Sequence, residues 1–232
     1  MLVYCHWVFS TCTGPRTGHL IEAALKVLCE RHLDNVPQLL GVQDVSVTPP
    51  SRASIAIFLR KKERVTDSRI EYTDDRFLKI VKSILVSVKS KYRVVVLDAS
   101  PATEMKDILY SECPNEWLDC TEHVKDKSSG KNRNINEQLN YLFHLKVEKN
   151  IIAGIGIHGG LMDVMSVLGL HPSRMHRILL PSDPKIDNKK WMGVCNNWKK
   201  QTDNLTKLCC GAESVWHFGQ ESALHALSKL ND

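Results

Sequence analysis

Apolar and polar residues along this chain alternate between two regimes, and the alternation predicts an architecture. Short β-branched runs, apolar at nearly every position, occur at Arg93–Leu97 and Ile151–Ile157. A strand covered on both faces reads this way, whereas a half-exposed strand alternates. Between such runs lie stretches with apolar residues three and four apart. Phe77, Ile80, Val81, Ile84, Leu85 and Val88 form one stripe, with Lys79, Lys82 and Lys89 outside it. That spacing predicts a helix from about 76 to 89, capped by Asp74 or Asp75.

Further strands are expected over 2–10, 42–47, 53–59 and 176–180, the middle pair separated by Pro49 and Pro50. Proline cannot donate to a ladder and belongs in the connection. Further helices are expected over 19–32, 103–111, 136–147, 161–168 and 221–230, with Gly169 ending the fourth. Residues 123–136 are polar and read as a surface loop. Residues 181–211 carry prolines, lysines, asparagines and two tryptophans with no clear period. The expected architecture is a single α/β domain over 1–232 with an irregular C-terminal extension at about 181–232. Its sheet is mostly parallel and doubly wound, flanked by helices in a Rossmann-like three-layer sandwich, with one antiparallel edge strand.

Composition narrows the class. The chain has 232 residues, 43% hydrophobic and 25% charged, enough for one well-buried core. No apolar run approaches the roughly 20 residues of a membrane span, so no membrane partner is expected. Residues 1–9 are apolar but lack a basic leader, and read as a first core strand, not a signal peptide. The net charge of +5 accommodates an acidic partner or nucleic acid without requiring either. Eight cysteines without a secretory signal predict reduced thiols and an intracellular location, nuclear or cytoplasmic.

Over about residues 2–180 the order of elements resembles the von Willebrand factor type A family. The expected first strand and helix, Val3 to Leu28, resemble that family's opening strand, metal loop and first helix, and 53–59 its central strand. Val94-Val95-Val96-Leu97-Asp98-Ala99 is similar to its strand ending in Thr-Asp-Gly, and Ile151–Ile157 to a later strand. The family's metal loop reads Asp-x-Ser-x-Ser, but here the residues are Ser10-Thr11-Cys12-Thr13-Gly14. A hard divalent cation needs carboxylate oxygen, and Asp98 alone makes a poor site. The resemblance therefore implies a degenerate domain that holds no metal or other cofactor and serves as a docking scaffold for protein partners.

Other motifs offer chemistry. Cys113, Cys120 and His123 supply three metal-ligand types, but structural zinc takes four in closely spaced pairs. Incidental buried thiols are the plainer reading. Cys209-Cys210 with His158 could pair a nucleophile with a base, although nothing in the sequence fixes their geometry. Leu170-His171-Pro172-Ser173 is similar to the His-Pro-Ser loop of uracil-DNA glycosylases, with Asp98 standing for the water-activating aspartate. A turn after a helix-ending glycine explains the same residues. Trp191, Trp198, Lys199 and Lys200 combine aromatic and basic character, which suits a protein interface or single-stranded nucleic acid.

Two classes of function follow. The first is a non-catalytic scaffold in an intracellular assembly, nuclear or cytoplasmic, binding protein partners through Trp191, Trp198, Lys199 and Lys200. The second is an α/β enzyme or binding protein for nucleic acid or nucleotide, using Asp98 with His158 or His171 at the carboxyl edge of the sheet.

Overall fold

The computed structural model describes residues 50–61, 68–123, 128–183 and 185–227. The elements expected over 2–10, 19–32 and 42–47, and with them the Ser10 loop, lie outside these residues. Six described strands form one sheet: β1 (Ser54–Phe58), β2 (Arg93–Leu97), β3 (Trp117–Asp119), β4 (Ile151–Ile157), β5 (Met175–Leu179) and β6 (Val215–Phe218). They lie in the order β3-β2-β1-β4-β5-β6. Every pairing is parallel. The fold is thus an α/β three-layer sandwich. The antiparallel edge strand expected from sequence has no counterpart among the described residues, where the only antiparallel pairing is an isolated bridge between Arg69 and Pro181.

Six helices among the described residues cover the sheet: α1 (Asp75–Val88), α2 (Thr103–Glu112), α3 (Ile135–Glu148), α4 (Gly160–Val167), α5 (Asn188–Cys210) and α6 (Gln220–Leu227). The first starts as its sequence predicts. The Asp74 carboxylate caps α1 by accepting from the Arg76 amide at 2.9 Å. Asn134 and Glu137 cap α3 reciprocally, each side chain accepting from the other's backbone N–H.

Strand alternation sorts the core into two layers. Ile55, Ile57, Val94, Val96, Ile155, Ile157 and Ile178 pack under α1, α2 and α6. Ala56, Phe58, Val95, Leu97 and Met175 pack under α3, α4 and the far end of α5. In this second layer two glycines of β4 make room for Phe58. A Cβ on Gly156 would stand 2.6 Å from the Phe58 Cβ and carbonyl, and one on Gly154 would stand 2.7 Å from its ring.

The stretch from 181 onward is not an irregular extension. It supplies α5, a helix of 23 residues, then β6, which pairs with β5, then α6. Among the described side chains of α5, Trp191, Cys195, Thr202, Asp203, Leu205 and Thr206 are buried, at helical spacing. The period is one of burial, carried partly by Cys, Thr and Asp. Hydrophobicity alone therefore does not show it. Among the described residues no helix is long and apolar enough to cross a membrane.

Candidate functional site at the carboxyl edge of the sheet

In this strand order the connections run one way from β1 to β2 and β3 and the other way to β4, β5 and β6. The chain direction divides between β1 and β4. In open α/β sheets ligands bind at this division, outside the carboxyl ends of the strands. Here those ends are Leu59-Arg60 and His158-Gly159-Gly160. Gly159 stands at the start of α4 with no side chain capping the helix. Gly160 is exposed, and a Cβ built on it would meet nothing within 4 Å. A Cβ on Gly159 would lie 3.4 Å from Arg60 Cδ. The Arg60 side chain therefore lies against the opening turn of α4.

Behind this opening is a buried polar cluster. Arg177 on β5 is fully buried, and its Nη1 lies 2.6 Å from Asp163 Oδ1 on α4. The same nitrogen lies 3.2 Å from His158 Nδ1, and Nη2 donates to Ser166 Oγ at 3.4 Å. Burial pulls the Arg177 pKa below the ordinary arginine value, and the Asp163 carboxylate opposes that pull. An arginine guanidinium only donates. His158 Nδ1 must then accept, which places the imidazole proton on Nε2 and leaves the ring neutral. Asp163 and Arg177 cancel each other's charge close to the helix start. The cluster is walled by aromatics: His158 lies 5.0 Å from the Trp216 ring, and Arg177 lies 5.6 Å over it. Trp216 Nε1 donates to Asp203 at 2.9 Å.

A strap over 68–76 crosses the same edge. The Ile70 amide donates to the Leu180 carbonyl, and the Tyr72 amide to the Arg60 carbonyl. Arg69 donates to the His158 carbonyl at 2.9 Å and stacks 4.8 Å over Trp198. The Tyr72 hydroxyl donates to Ser100 O at 2.9 Å, and Arg76 to Pro181 O at 2.8 Å. Ile70 and Tyr72 are buried in the α1 layer, on the other side of the sheet from α4.

Asp98 follows β2 at the carboxyl edge, half-buried and with a positive φ of 80°. Leu97 pairs with Phe58 and Phe58 with Gly156, so Asp98 and His158 end strands flanking β1. Two strand spacings, roughly 10 Å, separate their backbones. They share an edge, two strands apart. His171 does not join them. It caps the turn Pro172–Arg174 just before β5, at the amino edge and a strand length away, roughly 20 Å. The His-Pro-Ser reading needs His171 beside Asp98, and the parallel course of β4 and β5 holds the two at opposite edges.

The docking candidates are largely spent inside the fold. Trp191 is 4% exposed, packed with Leu179 and Cys195. Trp198 is half-buried, edge-on to Trp191 at 5.8 Å. Lys199 contacts Asp203 and Glu213, and the bond to Asp203 holds its pKa above the ordinary lysine value. Lys200 alone is exposed. Cys113 packs in the α1 layer and Cys120 in the α3 layer, so the sheet keeps them from sharing an ion. The side chains of Cys209 and Cys210 lie outside the described residues.

Sequence reasoning passed over Arg60, Arg69, Asp163 and Arg177. Arg60 reads as the start of a solvated charged run, yet it is 6% exposed. Arg177 carried a usable signal: a lone arginine within the apolar strand Met175–Leu179 has to be paired. Asp163 and Ser166, three apart on an otherwise apolar helix, carried another. Compared with protein family models, curated proteins and solved structures, this chain matches none.

Proposed function

We propose that this protein binds a phosphorylated, nucleotide-type ligand in the crevice between the carboxyl ends of β1 and β4. The observation that carries the reading is the uncapped, glycine-only start of α4 at the chain's division point, with Arg60 against it. The first amides of a helix and its positive end suit phosphate, and glycine lets a ligand approach the backbone. Arg60 adds a full positive charge. His158, held neutral by Arg177, presents an N–H, and Asp98 stands one strand beyond β1. The His158 Nε2–H can donate a hydrogen bond to a ligand lying across β1, and Asp98 is the carboxylate on that edge that could exchange a proton with it.

The test uses two variants with opposite demands on the fold. Gly160→Asp places a carboxylate in open space at a helix start, where it favours the helix but repels an anion. Arg60→Gln removes the charge. Calorimetric titration with nucleoside diphosphates should show saturable binding to the wild type. Either variant should weaken it tenfold or more, with Gly160→Asp melting no lower than wild type. No saturable binding up to millimolar concentration, or binding indifferent to both variants, would overturn the reading.

A docking scaffold of von Willebrand type is the second reading, and the strap favours it. Tyr72, Arg69 and Arg76 already occupy carbonyls along the carboxyl edge, as an edge closed to ligands would have them. In that case the nucleotide titration fails, and deleting these contacts through Arg69→Ala and Tyr72→Phe lowers stability alone.

A further inference from the structure

The amino edge of the sheet carries a second concavity, of about 640 Å³. It lies between the last turn of α3, the start of β4 and the turn leading into β5. Its volume falls in the range of small-molecule sites, roughly 300–1,000 Å³. Lys146, His171 and Arg174 bring nitrogen donors to its wall, and among the described residues no aspartate or glutamate lines it.

Each donor has capacity left. Lys146 Nζ makes one long hydrogen bond, to the Leu168 carbonyl at 3.3 Å, and lies 5.9 Å from the Phe143 ring. An ammonium has three N–H groups. Nζ would stand 3.0 Å from a Cβ on Gly169, whose φ of +89° already favours glycine. The Arg174 guanidinium is exposed and takes part in no hydrogen bond or ion pair with described residues. His171 Nδ1 accepts from the Ser173 amide at 3.3 Å and lies 2.7 Å from the Ser173 hydroxyl. Its ring proton is therefore on Nε2. Burial lowers the Lys146 pKa, a cost that an anion beside it would offset. Val147 and Ile152 contribute apolar wall.

We propose that this hollow is a second binding site, taking a small organic anion, a phosphate or carboxylate group on an apolar body. The anionic group would sit between Lys146, Arg174 and the His171 Nε2–H, with the body against Val147 and Ile152. The site is independent of the one at the carboxyl edge, a strand length away.

Calorimetric titration with phenyl phosphate, benzoate, inorganic phosphate and phenol tests it. Phenyl phosphate or benzoate should bind saturably, and the stronger of the two identifies the anionic group. Inorganic phosphate and phenol should each bind at least tenfold more weakly. Arg174→Gln removes an exposed side chain that has no partner among the described residues, and should leave the melting temperature unchanged while weakening binding tenfold or more. Lys146→Met keeps the apolar stem and should do the same to binding. Phenol binding as well as phenyl phosphate, inorganic phosphate binding as well as either aromatic anion, or no saturable binding at all would overturn the proposal. So would binding that survives Arg174→Gln and Lys146→Met but is lost in Arg60→Gln, which would assign it to the other edge.

Discussion

His176 and His217 stack inside the α1 layer with rings 5.3 Å apart and 7° from parallel. His176 Nδ1 and His217 Nε2 are 3.1 Å apart, so one ring donates and the other accepts. Burial, then the charge of His217, pushes the His176 pKa from 6.5 to about 4. Burial also lowers that of His217. A base whose folded pKa lies below its unfolded value contributes stability above the unfolded pKa. Here that contribution is complete above about pH 7 and is lost as pH falls from 6.5 toward 4. The shift corresponds to about 3 kcal/mol by pH 4. Urea unfolding at pH 7.5 and pH 4 should therefore show a larger acid loss in wild type than in His176→Gln. Equal losses would mean that the pair is hydrated and titrates normally. Arginine shows the limit of reading single residues. Arg60 and Arg69 have ordinary sequence surroundings, yet Arg60 is buried and Arg69 bridges two elements.

At the scale of elements, the sequence patterns that worked were those in which hydrophobicity and burial coincide. β2 and β4 have the bounds their apolar runs predict, and α1 its predicted stripe. β3 and β6 were not legible. They have three and four residues and contain Trp117-Leu118-Asp119 and Val215-Trp216-His217-Phe218, too short to show a period. α5 was missed for the reason its buried positions give: Thr202, Asp203 and Thr206 are polar yet buried, Asp203 held by the Trp216 indole N–H and the Lys199 ammonium. The consequence is testable. Trp191→Ala should cost about 3–5 kcal/mol, as removing a large buried aromatic does. Lys200→Glu, at an exposed position, should stay within about 0.5 kcal/mol. Denaturant unfolding distinguishes the two. A Trp191→Ala protein as stable as wild type would return Trp191 to the surface as a docking anchor.

For the whole molecule, the sheet ties the two core layers together through residues such as Val95. Val95 is fully buried, pairs with Ala56 and Leu118, and points into the α3 layer. Val95→Asp would leave a carboxylate there without a partner, at a cost of several kcal/mol. Typical domains have about 5–15 kcal/mol in total. Loss of cooperative unfolding, followed by circular dichroism, is the expected result. A folded Val95→Asp protein would show that β2 is not a central strand. The α/β class and parallel strands were determined by the sequence itself, because a strand covered on both faces must be apolar on both. So were most helices, through stripes and caps that act within a few residues. Only the tertiary structure decided the strand order, and with it the division between β1 and β4 where Arg60 meets the start of α4. It alone decided that the strands ending in Asp98 and His158 flank β1, and that His171 lies at the other edge. Those outcomes depend on which distant strands pair, and pairing partners leave no local period in the chain.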